Sequence, residues 1–254
     1  MKTYAYWSGG KDSTASIILC KENGIHLDGI VFCEVMYDHS RNISGENPLH
    51  IKWVNEVAIP LFESWGYEVI RLRSAKDYLA CFHHRITKGE RQGKKNGFFI
   101  PFACIGNRDL KMKPIHDFRA EIGEHTEIVG IAIDEPKRLQ SLSQKPNKRS
   151  ILAEFGYTEQ MAKELCRKYG LLSPIYDYVG RGGCFFCPNQ TIEEWALLRK
   201  TAPQLFDELK ELSKDKELCS NKVTRQYTFA DIDYKTAQLN NWVQQNIFDI
   251  MEKQ

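Results

Sequence analysis

The sequence predicts an α/β protein with a doubly wound, mostly parallel sheet, followed by a mainly helical part that carries cysteines. Apolar and β-branched runs alternate with helical patterns through the first half of the chain, which favours a parallel sheet with right-handed crossovers. Two glycines, Gly9 and Gly10, end the first run. Ligands of such sheets bind beyond the carboxyl ends of the strands, so we expect the functional site at this edge.

Four runs have the composition of buried strands, and each is separated from the next by a helical pattern. They are residues 4–7, Asp28–Val35, Tyr67–Leu72 and Thr126–Ile133. Helix spacing follows the first run, and the intervening helices are expected over Pro48–Trp65, Ala75–Phe82 and residues 104–123. Pro60 and Pro114 should bend or break the helices that contain them.

The second half is predicted to be helical after a polar loop, Gln144–Ser150. A helix should start at Thr158, with Met161, Leu165 and Tyr169 on one face. Thr191 and Glu194 fit a capping box, and Pro203 fits the first turn of another helix with Leu205, Leu209 and Leu212 inward. A last helix is expected over residues 239–251. These patterns place an α/β domain at 1–150 and a helical region at 151–254.

Composition excludes several classes of protein. The 254 residues carry a formal net charge of +2 and include no apolar run long enough to cross a membrane. The N-terminus lacks the pattern of a signal peptide, so a cytoplasmic location is expected. The net charge does not by itself support nucleic-acid binding. A local basic stretch, residues 85–97, is interpreted as a mobile, solvated loop.

The segment Ser8-Gly-Gly-Lys-Asp-Ser13 places glycines between a strand and a helix. Glycines allow close backbone approach, and helical N–H groups with the helix dipole favour phosphate. The spacing is neither that of a Walker A loop nor that of the dinucleotide fingerprint. It resembles the PP-loop of ATP pyrophosphatases, which cleave ATP between the α- and β-phosphates and activate a substrate as its adenylate.

The resemblance implies ATP with Mg²⁺ at this turn. Lys11 would neutralise the leaving pyrophosphate, and Asp12 would cap the helix or help to hold Mg²⁺. The end of the second strand, Phe32 to Glu34, would receive adenine. The residues that would contact the nucleotide are Ser8, Gly9, Gly10, Lys11, Asp12, Ser13, Phe32 and Cys33.

Cysteines form a second signal. Cys184 and Cys187 have the two-residue gap that lets both sulfurs reach one metal, and Cys104 and Cys166 are the candidate additional ligands. Zn²⁺ and a [4Fe–4S] cluster both accept four thiolates, and the spacing does not separate them. A redox-active Cys184–Cys187 pair is a third alternative.

Basic residues near the expected site would bind an anionic substrate. Arg138 could form a bidentate contact with phosphate or sulfate, with Lys137 beside it and Asp134 just before. Arg108 and Lys111 are one turn apart on a predicted helix and could face the same anion. Lys11, Asp12 and Arg138 are the candidate catalytic residues.

Four stretches carry a resemblance to a known family: the turn, Cys104 with Arg108–Pro114, residues 130–139 and the Gly-Cys-Phe-Phe-Cys-Pro segment. The chain resembles the phosphoadenosine phosphosulfate reductase-like family from residue 3 to about residue 200. The resemblance implies an enzyme that adenylates an acceptor substrate, with sulfur transfer from a sulfur donor protein as a further step. Adenylyl-sulfate reductases use a nucleophilic cysteine near the C-terminus, whereas this chain ends Asp249–Gln254 without one. Reduction of an adenylyl sulfate and a non-catalytic nucleotide-binding module are the alternatives.

Overall fold

The computed structural model describes residues 1–101, 104–180 and 182–239. The chain forms two compact units, each built from three segments. Unit 1 comprises Met1–Glu34, Leu49–Ser74 and Lys111–Gly182, and unit 2 comprises Val35–Pro48, Ala75–Leu110 and Gly183–Gln254. The boundary expected near residue 150 therefore falls inside unit 1. The last helix expected over residues 239–251 lies, apart from its first residue, outside the described residues.

Unit 1 contains five parallel strands, which confirms the predicted α/β fold with a parallel sheet. In sheet order they are β5, β2, β1, β6 and β7. Their bounds are β1 Lys2–Trp7, β2 Gly29–Cys33, β5 Val69–Leu72, β6 His125–Ile128 and β7 Lys148–Arg149. The chain builds the sheet outward from β1 in one direction and then crosses to the other side at β6. This reversal next to β1 is the topological switch point at which ligands of such sheets bind.

The helices of unit 1 flank this sheet. They are α1 Lys11–Glu22, α2 Pro48–Trp53, α3 Ile59–Ser64, α5 Lys113–Ile122, α6 Pro136–Leu142, α7 Ile151–Glu154 and α8 Glu159–Lys168. A 3₁₀ turn, Pro174–Asp177, follows α8. Helix α8 starts after Thr158, whose side chain caps it, as predicted. Its buried face is Ala162, Leu165 and Cys166, whereas Met161, expected on the same face as Leu165, is 41% exposed.

Two predicted helices contain π-helical segments. Val54–Ala58 separates α2 from α3 just before Pro60, and Gly106–Met112 precedes α5 just before Pro114. A proline lacks the N–H that continues an α-helical ladder, so the irregularity falls close to each predicted proline break.

The sheet edge shows two differences from the prediction. β6 ends at Ile128, earlier than expected, and β7 lies within the segment expected to be a loop. β7 pairs with β6 through Glu127 opposite Lys148 and Ile128 opposite Arg149. A two-residue, wholly charged edge strand has no apolar periodicity, so its pattern gives no strand signal.

Unit 2 has its own aromatic core. Its elements are β3 Met36–Asp38, β4 Ile43–Ser44, α4 Tyr78–His83, α9 Ile192–Thr201 and α10 Pro203–Leu212, followed by helical residues 229–239. Tyr78 stacks on Phe186 with ring centroids 4.0 Å apart, and Trp195 is fully buried. The predicted capping box of Thr191 and Glu194 is present at α9.

The predicted helix at Pro203 is α10, and its inward face differs in part from the prediction. Leu209 is fully buried, whereas Leu205 and Leu212 are only partly buried, and Phe206 takes the central core position. None of the helices within the described residues has the length and apolar character needed to cross a bilayer.

Candidate functional site

The Ser8–Ser13 turn connects the central strand β1 to α1, at the carboxyl edge of the sheet and beside the switch point. Trp7 ends β1 and donates its indole N–H to the Thr14 hydroxyl, at 2.8 Å in the buried interior. Gly10 is the N-cap residue of α1 and has no side chain with which to cap it. Asp12, predicted as a possible cap, does not fill that role. The Ser8 hydroxyl accepts from the Gly10 N–H at 3.4 Å, and the dipole of α1 favours an anion at this end of the helix.

Gly9 is the position in the turn that only glycine can fill. Its φ is +74°, and an added Cβ would lie 2.3 Å from His50 Nε2. His50 is 2% exposed and hydrogen-bonds to the Ser8 backbone, while its Nδ1 lies 2.9 Å from the Ser173 hydroxyl. Burial, with a smaller contribution from the charge of Lys111, lowers the pKa of His50 to about 4. A neutral imidazole thus supports the turn from the protein interior.

Gly130 supports the turn from the β6 side. An added Cβ would lie 2.4 Å from the backbone nitrogen of Ser13 and 2.7 Å from the carbonyl carbon of Asp12. The residue two positions after β6 is therefore in direct backbone contact with the first turn of α1. No side chain larger than hydrogen fits there without moving one of the two segments.

The two serine hydroxyls act within the turn. Ser13 Oγ donates to the Gly10 carbonyl at 3.0 Å and accepts from the Ser8 backbone N–H at 3.2 Å. The Ser8 hydroxyl lies 3.3 Å from Ser13 Oγ. These bonds give the turn its shape before a ligand arrives, so both hydroxyls already have partners.

Lys11 is engaged by carboxylates. Its ammonium group lies 2.9 Å from Asp12 and 2.7 Å from Glu159 at the start of α8. Its backbone N–H donates to the Tyr176 hydroxyl at 3.0 Å. Burial raises the pKa of Asp12, as do Glu159 and Glu135, and the hydrogen bond with Lys11 opposes the shift. The lysine therefore offsets a local excess of negative charge.

Asp134 and Arg138 are held by their own neighbours. The Asp134 carboxylate accepts from the Glu159 backbone N–H at 3.1 Å. Arg138 forms an ion pair with Glu135 at 2.5 Å and its side chain is 57% exposed. Lys137 and Arg138 line a shallow cavity of about 460 Å³. Of these predicted substrate residues, Asp134 connects directly to Glu159 and hence to Lys11.

The end of β2, predicted to receive adenine, is buried. Phe32 is 1% exposed and packs on Trp7 at 5.2 Å between ring centroids. The Cys33 thiol donates to the Lys111 carbonyl at 3.4 Å. The next residue, Glu34, is 2% exposed and accepts from Arg71 and Arg73 of unit 1 at 2.9 Å each. The arginine partners of Glu34 were not predicted.

Arg108 and Lys111 belong to different units, and a shared anion site for them stays a prediction. The π-helical segment that contains them divides between the units, with Arg108 in unit 2 and Lys111 in unit 1. Arg108 pairs with Asp109 at 2.5 Å. Lys111 influences His50 by its charge. The expectation that both face one anion assumed α-helical spacing, which a π segment does not keep.

The four candidate metal ligands also divide between the units. Cys166 is fully buried in unit 1, and its thiol donates to the Lys11 carbonyl at 3.2 Å. Burial raises the pKa of Cys166 to about 12, which disfavours the thiolate that binds metals. Cys166 as a metal ligand stays a prediction, and in the structure its thiol contacts the turn.

Cys104, Cys184 and Cys187 belong to unit 2, and each is partly exposed. Burial raises the pKa of Cys104, and Cys187 adds to this shift by its charge. The Cys187 backbone N–H donates to the Cys184 carbonyl at 3.0 Å, which closes the tight turn between them. Within the described part of the chain, no three His, Cys, Asp or Glu side chains are grouped to hold a metal ion. Metal binding by these three cysteines stays a prediction.

Sequence reasoning missed the residues that hold the turn, namely His50, Gly130, Tyr176 and Glu159. They come from four different parts of the chain. Gly130, a glycine inside the predicted strand Thr126–Ile133, was the one available signal, because such glycines often mark close backbone approach. Comparison with protein-family models and with curated proteins finds no match to this chain. The functional argument therefore depends on the fold and on the geometry of the turn.

Proposed function

We propose that the protein is a PP-loop enzyme that binds ATP with Mg²⁺ at the Ser8–Ser13 turn and activates an acceptor substrate by adenylation. Transfer of AMP to the acceptor would release pyrophosphate. Sulfur transfer to the adenylated substrate is an extension of this proposal, motivated by Cys104, Cys184 and Cys187 of unit 2.

The observation that carries the proposal is the N-terminus of α1, which follows the glycine turn directly at the carboxyl end of the central strand. The backbone around it is held by the buried imidazole of His50 and by the close approach of Gly130. Rigid N–H donors in a fixed position stabilise phosphate charge without reorganisation during the reaction. Phosphoryl-type chemistry needs mainly such positioning and charge neutralisation.

The residues of the turn would act as follows. The backbone amides at Gly9 and Gly10 bind the pyrophosphate end of ATP. Lys11 leaves Glu159 and neutralises the leaving pyrophosphate. Mg²⁺ is commonly bound by one or two carboxylates together with substrate phosphates, and Asp12 offers one carboxylate beside the turn. The bound ion would reduce the negative charge on the phosphates.

A cytoplasmic location is part of the proposal. All eight cysteines lie in the described residues, and none is in a disulfide. Cysteines in this state are typical of proteins in a reducing compartment.

The test uses ATP and Mg²⁺ with water as the acceptor, and it measures AMP and pyrophosphate. We expect slow release of both products by the natural protein. Lys11→Ala should lower the rate by about 100-fold or more, because one stabilising group for the developing charge is lost. Lys21→Ala, on the last turn of the same helix, is the matched control and should keep the natural rate.

Undiminished turnover by a folded Lys11→Ala variant would refute the assignment, as would ADP and phosphate as the products. Tight binding of ATP without pyrophosphate release, also with added acceptors, would favour a nucleotide-binding module. Release of sulfite from an adenylyl sulfate with a thiol donor would favour the reductase.

A further inference from the structure

Unit 2 contains a basic region that the proposed nucleotide site does not use. Between Lys76 and Asp109 the sequence has seven Lys or Arg residues and three Asp or Glu residues. The excess of positive charge is concentrated in residues 85–97. This stretch was expected to be a solvated loop without a specific structure.

The structure shows that this stretch is anchored at both ends. Arg85 and Lys95 form an isolated antiparallel bridge, and turns at Gly89 and Gly93 reverse the chain between them. Arg85 binds Glu217 at 2.8 Å, and Lys95 binds Asp215 at 2.6 Å. The Lys95 backbone N–H donates to the Glu217 carbonyl, and the Lys95 carbonyl accepts from the Cys219 backbone N–H. We call this anchored segment, residues 85–95, the basic hairpin.

The cations at the tip of the basic hairpin differ from those at its base. Within the described residues, Lys88, Arg91 and Lys94 have no carboxylate partner. All three are exposed. The ion pairs at the base thus hold a backbone that presents unpaired positive charges at the tip.

The hairpin borders a cavity of about 600 Å³. Lys88 contributes from the hairpin, Lys76 from the segment before α4, and Arg108 from the π-helical segment. The carboxylate in the lining, Asp109, is paired with Arg108, whose side chain is 74% exposed. An exposed pair of this kind contributes little to stability and can exchange for a phosphate.

The wall of the cavity between these cations is partly apolar. Ala80, Cys81, Ile86 and Ile105 contribute to it. The described lining residues include no Phe, Tyr or Trp on which nucleic-acid bases could stack. The volume falls within the range of sites for small molecules, roughly 300–1,000 Å³.

We propose that this cavity is a second binding site, specific for a small organic ligand that carries two or more phosphate groups. Lys76, Lys88 and Arg108, which come from three separate elements, bind the phosphates. The apolar wall contacts the organic part. The site is independent of the nucleotide proposed at the Ser8–Ser13 turn.

The experiment titrates tripolyphosphate into the full chain by calorimetry at low salt. The Lys11→Ala background weakens binding at the turn of unit 1, so that the cavity dominates the signal. Lys88→Gln combined with Arg108→Gln removes two cations of the cavity. Lys21→Gln combined with Lys52→Gln removes the same charge from exposed positions of unit 1 and is the matched control.

We expect saturable binding whose dissociation constant rises by about tenfold or more in the cavity variant, because two charge-assisted contacts are lost. The control pair should stay within about twofold of the parent, since remote exposed charges are screened by salt. Circular dichroism checks that each variant is folded. Inorganic phosphate should bind the same site more weakly.

An equal loss in both double variants would overturn the proposal, because general charge would then explain the binding. Absence of saturable tripolyphosphate binding would also overturn it. A single-stranded oligonucleotide that binds where tripolyphosphate does not would show a surface for a polymer instead. Loss of tripolyphosphate binding in Lys11→Ala alone would place the ligand at the turn of unit 1 and likewise contradict the proposal.

Discussion

The Ser8–Ser13 turn of unit 1 and the basic hairpin of unit 2 both combine glycines with lysine, yet they treat their charges in opposite ways. In the turn, Lys11 is neutralised by Asp12 and Glu159. In the hairpin, the ion pairs are at the base and the tip cations have no carboxylate partner. Buried groups support the backbone of the turn, whereas ion pairs to Asp215 and Glu217 hold the hairpin. Under the two proposals made above, the turn selects its ligand by geometry and the hairpin selects its ligand by charge.

The largest expected effect concerns His50, the buried side chain that hydrogen-bonds to the backbone of the turn. His50 has a pKa of about 4 in the folded protein, below its ordinary value of 6.5, because of burial. Its contribution to stability is complete above about pH 6.5 and is lost as pH falls towards 4. By proton linkage the loss at pH 4 is about 3 kcal/mol in free energy of unfolding. His50→Gln should lack this part of the pH dependence.

The measurement is urea unfolding of the natural protein and of the variant at several pH values between 7 and 4. The carboxylates titrate in both proteins, so their contribution cancels in the difference. His116→Gln, at an exposed position of α5, should keep the natural pH dependence. An unchanged pH dependence in His50→Gln would show that His50 does not limit the acid stability of unit 1.

The next effect tests the close backbone approach at Gly130. Gly130→Ala places a Cβ about 2.4 Å from the Ser13 nitrogen unless a segment moves. Overpacking of this kind costs about 2 kcal/mol of unfolding free energy. It should also weaken binding of α,β-methylene ATP, because the first turn of α1 shifts.

Gly180→Ala provides the control, since no atom lies within 4 Å of the added Cβ and its φ is not positive. Calorimetric binding and thermal unfolding of both variants give the comparison. If Gly130→Ala binds the analogue as tightly as the natural protein, the turn tolerates displacement and its rigid geometry is not required.

The smallest expected effect comes from a variant in which Lys11 has fewer carboxylate partners, as the cations at the tip of the hairpin do. Glu159→Gln removes one of the two carboxylates that hold its ammonium group. The lysine then leaves at lower cost to bind phosphate, so α,β-methylene ATP should bind about threefold to tenfold more tightly without Mg²⁺. This corresponds to about 1 kcal/mol, as for a partly exposed ion pair.

Glu164→Gln, at an exposed position of the same helix α8, should leave this affinity unchanged. Weaker binding by Glu159→Gln would mean that Glu159 positions Lys11 for the ligand instead of competing with the ligand for it. In that case the carboxylates would not restrain the Lys11 ammonium group from binding phosphate, and the contrast with the hairpin would fail.

Local patterns were sufficient for four of the five strands of the sheet and for the place of the turn. Alternating strand and helix patterns predict a parallel sheet because each period reflects which face of an element is buried. The glycines after β1 and the capping box at Thr191 are likewise local signals. The edge strand β7 and the π segments gave no such signal, since their formation depends on partners elsewhere in the chain.

By itself, the sequence determined the fold class and the strand-to-helix position of Ser8–Ser13. Only the tertiary structure decided what surrounds that turn. His50 and Ser173, which hydrogen-bond under it, are separated by 123 positions, and the thiol of Cys166 donates to the carbonyl of Lys11, 155 positions away. A sequence pattern records which residues prefer burial, but not which distant residues meet there. Contacts between distant segments arise only when the helices pack on the sheet.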